Sequence, residues 1–206
     1  FFNDTATTEI YTTAYRRQRQ MCIRDSGRGE GRQFTRAAVS SDGIQFEGRE
    51  EDLGRPYFRV IKHDDFYYAM TMPGYLLRSR DGLTNFEAGP QFFTPDMRHS
   101  ALLIEGNHLY VFFTNRGDMP ERIMLSTIEL TDDWNQWTAS EPVEVLRPEM
   151  DFEGANLPIE ISRGGYIDER VHQLRDPAIY QENGKTYLLY SVAGESGIAI
   201  AEINFH

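Results

Sequence analysis

The sequence predicts an all-β protein, a β-propeller of four-stranded blades, and three observations carry that prediction. One hairpin pattern occurs three times, and a Ser-x-Asp-Gly turn recurs 39 residues after its first appearance. The combined unit repeats at about 40 residues, which is the period of a propeller blade.

Residues 1–26 are set aside before the elements are placed. The run Arg16-Arg17-Gln18-Arg19-Gln20-Met21-Cys22-Ile23-Arg24-Asp25-Ser26 resembles a translated transposase library adapter, and Asn3 to Thr12 resembles the flow-cell primer that precedes it. Read as native protein, the stretch would be a basic arm suited to nucleic acid. Adjoining pieces in adapter order favour the adapter, and such a segment is excluded from fold reasoning as a fusion scar would be. The expected domain is therefore 27–206, a partial propeller whose native N-terminus, with any signal peptide, is missing. Localisation is accordingly not legible.

Within that domain, residues 34–48 read as the outer half of a blade, with Ala38 to Phe46 carrying the turn Ser40-Ser41-Asp42-Gly43. Residues 55–88 form the next unit. Arg55 to Ile61 and Phe66 to Met70 flank a polar turn at His63-Asp64-Asp65, and Ser79-Arg80-Asp81-Gly82 opens the fourth strand. In 98–138, Arg98 to Ile104 and His108 to Phe113 flank Glu105-Gly106-Asn107, with a looser third strand at Leu125-Ser126-Thr127 leading to Asp132-Asp133-Trp134. In 175–204, Arg175 to Tyr180 and Lys185 to Tyr190 flank Glu182-Asn183-Gly184. Two apolar or aromatic runs around a polar turn are the signature of a β-hairpin. These units amount to about three and a half blades. The stretch 147–172 alternates poorly, holds Pro148, Gly154, Pro158, Gly164 and Gly165, and reads as a long loop of the kind that is often functional. Tyr67, Tyr110 and Tyr187, at equivalent positions, are expected to pack between sheets rather than to form a sugar platform.

Composition narrows the function. Of 21 basic and 32 acidic residues, four and three fall within 1–26, leaving the remainder at a net charge of −12. Such a charge disfavours a nucleic-acid partner. No apolar run approaches the roughly 20 residues a membrane helix needs, so no membrane partner is expected. The single cysteine, Cys22, lies in the excluded segment. Disulfides and thiol chemistry are thereby excluded from the rest. No cofactor or metal is expected, because there is no nucleotide-binding glycine loop and no zinc-type histidine spacing. Asp64-Asp65 and Asp132-Asp133 are assigned to hairpin turns, where Asp hydrogen-bonds locally, rather than to calcium.

In a propeller the first strand of each blade lines the axis, so residues at the strand starts converge. Here they are Arg55, Arg98 with His99, and Arg175 with Asp176. Arginine forks suit carboxylates, phosphates and sugar hydroxyls; equally, each can pair with a neighbouring blade's carboxylate and fasten the ring.

Arg175-Asp176-Pro177-Ala178-Ile179 followed by Gly184-Lys185-Thr186-Tyr187-Leu188-Leu189-Tyr190 resembles a blade of the five-bladed propeller glycosidases, glycoside hydrolase family 43 and its relatives. The resemblance covers residues 36–204 at the level of fold. It implies a five-bladed ring, a carbohydrate substrate, and three carboxyl groups around the axial funnel. Cleaving a glycosidic bond requires one group to protonate the leaving oxygen while another activates water or attacks carbon. On this resemblance Asp176 is the best candidate carboxylate. Glu153, in Asp151-Phe152-Glu153-Gly154, is similar to the family's acid motif, although alanine stands where the family has proline. The base belongs to a first blade that this chain is expected to lack, and the chain alone is expected to be inactive and poorly soluble, because an open ring exposes the blade face that its missing neighbour should cover. His99 is a further catalytic candidate, and Arg55, Arg98, Arg175 and His172 are candidates for substrate binding. The alternatives are a glycoside phosphorylase on the same architecture, with the arginines and His99 holding phosphate, and a non-catalytic carbohydrate-binding propeller. Oligomeric state is not legible.

Overall fold

The computed structural model describes residues 18–24 and 33–205. Among the described residues, apart from two single 3-10 turns, the regular structure is entirely β, arranged as four antiparallel sheets. The first contains β1 (Gln18–Arg24), β2 (Gln33–Val39) and β3 (Glu47–Gly48). The second runs β4 (Arg59–His63), β5 (Phe66–Thr71), β6 (Tyr75–Ser79) and β7 (Glu87–Gln91). The third runs β8 (Met97–Glu105), β9 (His108–Asn115), β10 (Ile123–Glu129) and β11 (Val143–Leu146). The last is β12 (Arg175–Glu182), β13 (Lys185–Val192) and β14 (Gly197–Ile203).

The predicted hairpins are present, closing at His63/Phe66, Glu105/His108 and Glu182/Lys185. The two Ser-x-Asp-Gly turns also match atom for atom. In each, the Ser hydroxyl donates to the Asp Oδ1 at 2.9 Å, and that oxygen accepts two backbone N–H groups at 2.8 Å, from Ile44 and Gln45 or from Leu83 and Thr84. At Asp81 partial burial pushes the carboxyl up, but the hydrogen bonds from Leu83 and Thr84 outweigh it and hold the group at about 2.

Two expectations need correction. The second and third units extend beyond 88 and 138, through β7 and β11. Asp132-Asp133 is not a hairpin turn; Asp133 caps the 3-10 turn Trp134–Gln136 by accepting from the Asn135 N–H. In addition, Gln18–Arg24, set aside on sequence, pairs along β2. Backbone pairing on an open sheet edge makes little demand on sequence, so this strand position is compatible with the adapter reading. The rest of 1–26 lies outside the described residues.

Alternation along each strand feeds two cores at once. From β9, Leu109, Val111 and Phe113 pack with Tyr68, Met70 and Leu76 of the second sheet, beside Trp134 and Trp137. The intervening Phe112 packs the opposite way, with Leu188, Tyr190 and Val192 of the last sheet. A smaller cluster of Phe58, Ala69 and Leu77 lies on the other face of the second sheet, with Leu53 against it. Each fully buried Leu or Phe contributes about 1.5–3 kcal/mol. The second, third and last sheets therefore stack face to face in chain order, and the first strands β4, β8 and β12 touch in succession. Tyr67 is buried, whereas Tyr110 and Tyr187 are half-buried, Tyr110 against Phe205 and Tyr187 stacked on Tyr180. As expected, 147–172 holds no strand, only the 3-10 turn Asp151–Glu153.

Candidate active site

The starts of β8 and β12 are irregular in the same way. Between Met97 and Ser100, and again between Arg175 and Ala178, the strand carries one more residue than its partner. Such bulges re-aim side chains. Here they turn His99 and Asp176 toward each other, and the His99 Nδ1 and an Asp176 carboxylate oxygen are in direct contact across the two blades. Asp176 adopts a left-handed φ of 48°, a conformation uncommon for a residue with a side chain. Backbone strain of this kind concentrates at functional sites.

A third strand start joins them. The Tyr57 ring lies 4.2 Å from the His99 ring, centroid to centroid, and Tyr57 also has a left-handed φ, of 60°. Counted back from the hairpin-closing residues His63, Glu105 and Glu182, Tyr57, His99 and Asp176 occupy the same position. Aligning the hairpins on their arginines shifts the first by one residue and hides Tyr57; counting from the turns would have found it.

The His99 side chain is 17% exposed and that of Asp176 31%, so this cluster reaches solvent. Burial, reinforced by Arg98, Arg59 and Arg175, pushes the imidazole down to about 3. The ring is thus neutral at pH 7, and since a carboxylate only accepts, Nδ1 must carry the proton that meets Asp176. Further acceptor capacity remains on Asp176, because a carboxylate has about four lone-pair sites.

Two of the predicted arginines are paired with the same carboxylate beside this cluster. Arg98 is buried and donates from Nη1 to both oxygens of Glu121, at 3.2 Å each. Arg175 is fully buried. Its Nε lies 3.2 Å from Glu121 Oε2 and 3.1 Å from Gln173 Oε1, its Nη1 reaches Gly165 O and Glu195 Oε1, and its Nη2 reaches Arg163 O and Gln173 Oε1. Glu121 also accepts from Thr114 Oγ1 at 2.7 Å. Burial pushes the Glu121 carboxyl up, against the pull of Arg98 and Arg175. This is the ring-fastening arrangement the sequence left open, and its carboxylate, Glu121, was missed. Nothing local marks Glu121; two equivalent arginines on apolar strands were the available signal, since buried charges need partners.

The remaining candidates lie elsewhere. Arg55 is exposed and stacks on the Tyr75 ring at 3.4 Å. Glu153 is buried, and both its oxygens are engaged: Oε1 accepts from Tyr190 Oη at 2.9 Å, and Oε2 from the N–H groups of Glu149 and Met150. Burial, then Glu153, pushes the Tyr190 hydroxyl up to about 12. His172 is buried with Nδ1 donating to Leu157 O at 3.0 Å. Glu153 and Arg175 therefore bind the 147–172 loop to the last sheet, whereas the His172 contact lies within the loop. A groove of about 470 Å3 near Val39, Phe46 and Glu47 includes none of the candidates in its lining.

No known protein family profile matches the chain. An uncharacterised protein of Acanthamoeba polyphaga mimivirus is 40% identical over 183 residues, covering 81% of this chain and 51% of that protein. The chain thus spans about half the length of the curated relative it matches. A thermostable family-43 glycoside hydrolase superposes with a TM-score of 0.60 over 92% of this chain and 68% of its own, at 12% identity. A β-1,2-mannobiose phosphorylase from Listeria innocua gives 0.54 over 82% and 48%, at 16% identity. At these identities the likeness is one of fold, and that fold is the one used by β-propeller glycosidases.

Proposed function

We propose that this chain is part of a carbohydrate-active enzyme of the glycoside hydrolase type, with its reaction centre at Asp176 and His99. The observation that carries the reading is the His99–Asp176 contact, formed by equivalent residues of successive blades at two bulges, partly open to solvent. Asp176 takes the part of the carboxylate that accepts from a sugar hydroxyl or an attacking water. Neutral His99 donates to it and fixes its orientation, and the Tyr57 ring holds the imidazole from the far side. Glycosidic cleavage needs a second carboxyl group. With both oxygens engaged, Glu153 is better suited to anchoring the loop than to proton donation, so the second group is assigned to another part of the full-length protein.

Charge balance favours hydrolysis over phosphorolysis. Arg98 and Arg175 face Glu121 and Glu195, two cations against two anions, so neither of these arginines is left over for inorganic phosphate. A second reading, a sugar-binding propeller without turnover, is favoured by one observation: the Tyr57–His99–Asp176 cluster itself holds a single carboxylate. The test is to assay the full-length protein against aryl glycosides and oligosaccharides, with and without phosphate. Phosphate-independent release of sugar is the expected outcome. Release only with phosphate would overturn the hydrolytic reading, and saturable sugar binding without release would establish the binding module.

A further inference from the structure

We infer that Glu121 is the positioning residue that brings His99 and Asp176 together. The inference depends on the reading above only for its kinetic consequence, since the geometry stands by itself. His99 follows Arg98 within the bulge of β8, and Asp176 follows Arg175, the last paired residue before the bulge of β12, so in both places the hydrogen-bond ladder is interrupted beside the arginine. A bulged backbone is held less by its neighbours and more by what its side chains grip. Arg98 and Arg175 both grip the same carboxylate, Glu121, which is fully buried between the two blades. One carboxylate therefore sets the spacing of two strand starts, and with it the position of the next residue on each.

Five further hydrogen bonds make this anchor stiff. Thr114 Oγ1 donates to Glu121 from β9, the strand paired with β8. Gln173 Oε1 accepts from Arg175 Nε and Nη2, so that guanidinium cannot pivot about Glu121. The Arg163 carbonyl accepts from Nη2 and the Gly165 carbonyl from Nη1, joining the loop above to the same centre. Buried ion pairs contribute little to stability compared with well-packed apolar groups, and some are retained because they specify one arrangement. Here the arrangement specified is the meeting of His99 Nδ1 with Asp176.

The experiment compares wild type, Glu121→Gln and Thr114→Val in the full-length protein. The readouts are the His99 Nδ1 proton and tautomer by 15N–1H NMR, turnover, and thermal melting. Glu121→Gln should abolish the His99–Asp176 proton signal and lower kcat about 100-fold, as a displacement of about 1 Å at a reacting group does, with KM little changed. Thr114→Val keeps both ion contacts and loses one hydrogen bond; it should weaken the signal and lower kcat about tenfold. If Glu121→Gln does not fold, Thr114→Val decides. A folded variant of either kind that keeps the wild-type signal overturns the positioning role. Loss of the signal in a protein whose wild type shows no turnover sustains that role and sinks the glycosidase reading instead.

Discussion

Lowering the pH from 7 to 5 should destabilise this protein through one ring, His99, and replacing that ring should remove the effect. In the folded state burial and then Arg98, Arg59 and Arg175 hold the imidazole down at about 3, whereas an unfolded His titrates near 6.5. Between those values the unfolded chain binds a proton that the folded chain does not. The folded state is therefore fully favoured above the unfolded value and loses stability as pH falls toward 3. At pH 5, about 1.5 units below the unfolded value, the loss is about 2 kcal/mol, at 1.36 kcal/mol per unit. Because the folded value lies well below 5, this magnitude is set by the unfolded one. The perturbation is His99→Asn, whose side-chain amide still donates to Asp176 but does not titrate. The assay is urea unfolding of both proteins at pH 7 and pH 5, comparing the two differences. Every other residue is common to both proteins. Wild type should lose about 2 kcal/mol more than the variant over this interval; equal losses would refute the neutral, buried imidazole and the donor role assigned to Nδ1.

Other consequences follow from packing. A Cβ on Gly82 would lie 2.8 Å from the Tyr67 ring at a φ of +69°, whereas one on Gly106, at +57°, meets nothing within 4 Å. Gly82→Ala should therefore cost about 2–4 kcal/mol by urea unfolding, and Gly106→Ala about 1 kcal/mol; similar costs would contradict the packing of the turn against Tyr67. Tyr190→Phe removes the donor to Glu153 Oε1 and should cost about 1–3 kcal/mol. It should also speed hydrogen exchange at the Glu149 and Met150 amides, which Glu153 holds; unchanged exchange would separate Glu153 from the anchoring of the loop.

How much of this was legible depends on the range over which each feature is encoded. The hairpins were readable because turn chemistry and strand alternation are local. Strand β7 was read short because Gly89-Pro90 looks like a break. Proline is tolerated on an edge strand, and Gly89 is required there, since a Cβ would fall 2.4 Å from the Trp134 ring. Strand β11 was missed because three of its four residues are exposed and carry little apolar signal. At the site, His99 and Asp176 were found by equivalence within the repeat, but their contact spans 77 positions of chain, and no spacing rule reaches that far. Glu121 was invisible because its role is created by two arginines from different blades. Glu153 has the right residue type, yet its neighbours Tyr190, Glu149 and Met150 use both its oxygens, a fact only folding supplies.

The most direct test of the account is turnover by Asp176→Asn in the full-length protein, measured on whichever glycoside the wild type hydrolyses. Asparagine keeps the shape and can still pair with His99 through its carbonyl oxygen, but it lacks the charge that activates water or a hydroxyl. The account predicts an unchanged melting temperature to within a few degrees with activity lowered at least 100-fold. A folded variant with wild-type turnover would contradict it and move the reaction centre away from the His99–Asp176 pair.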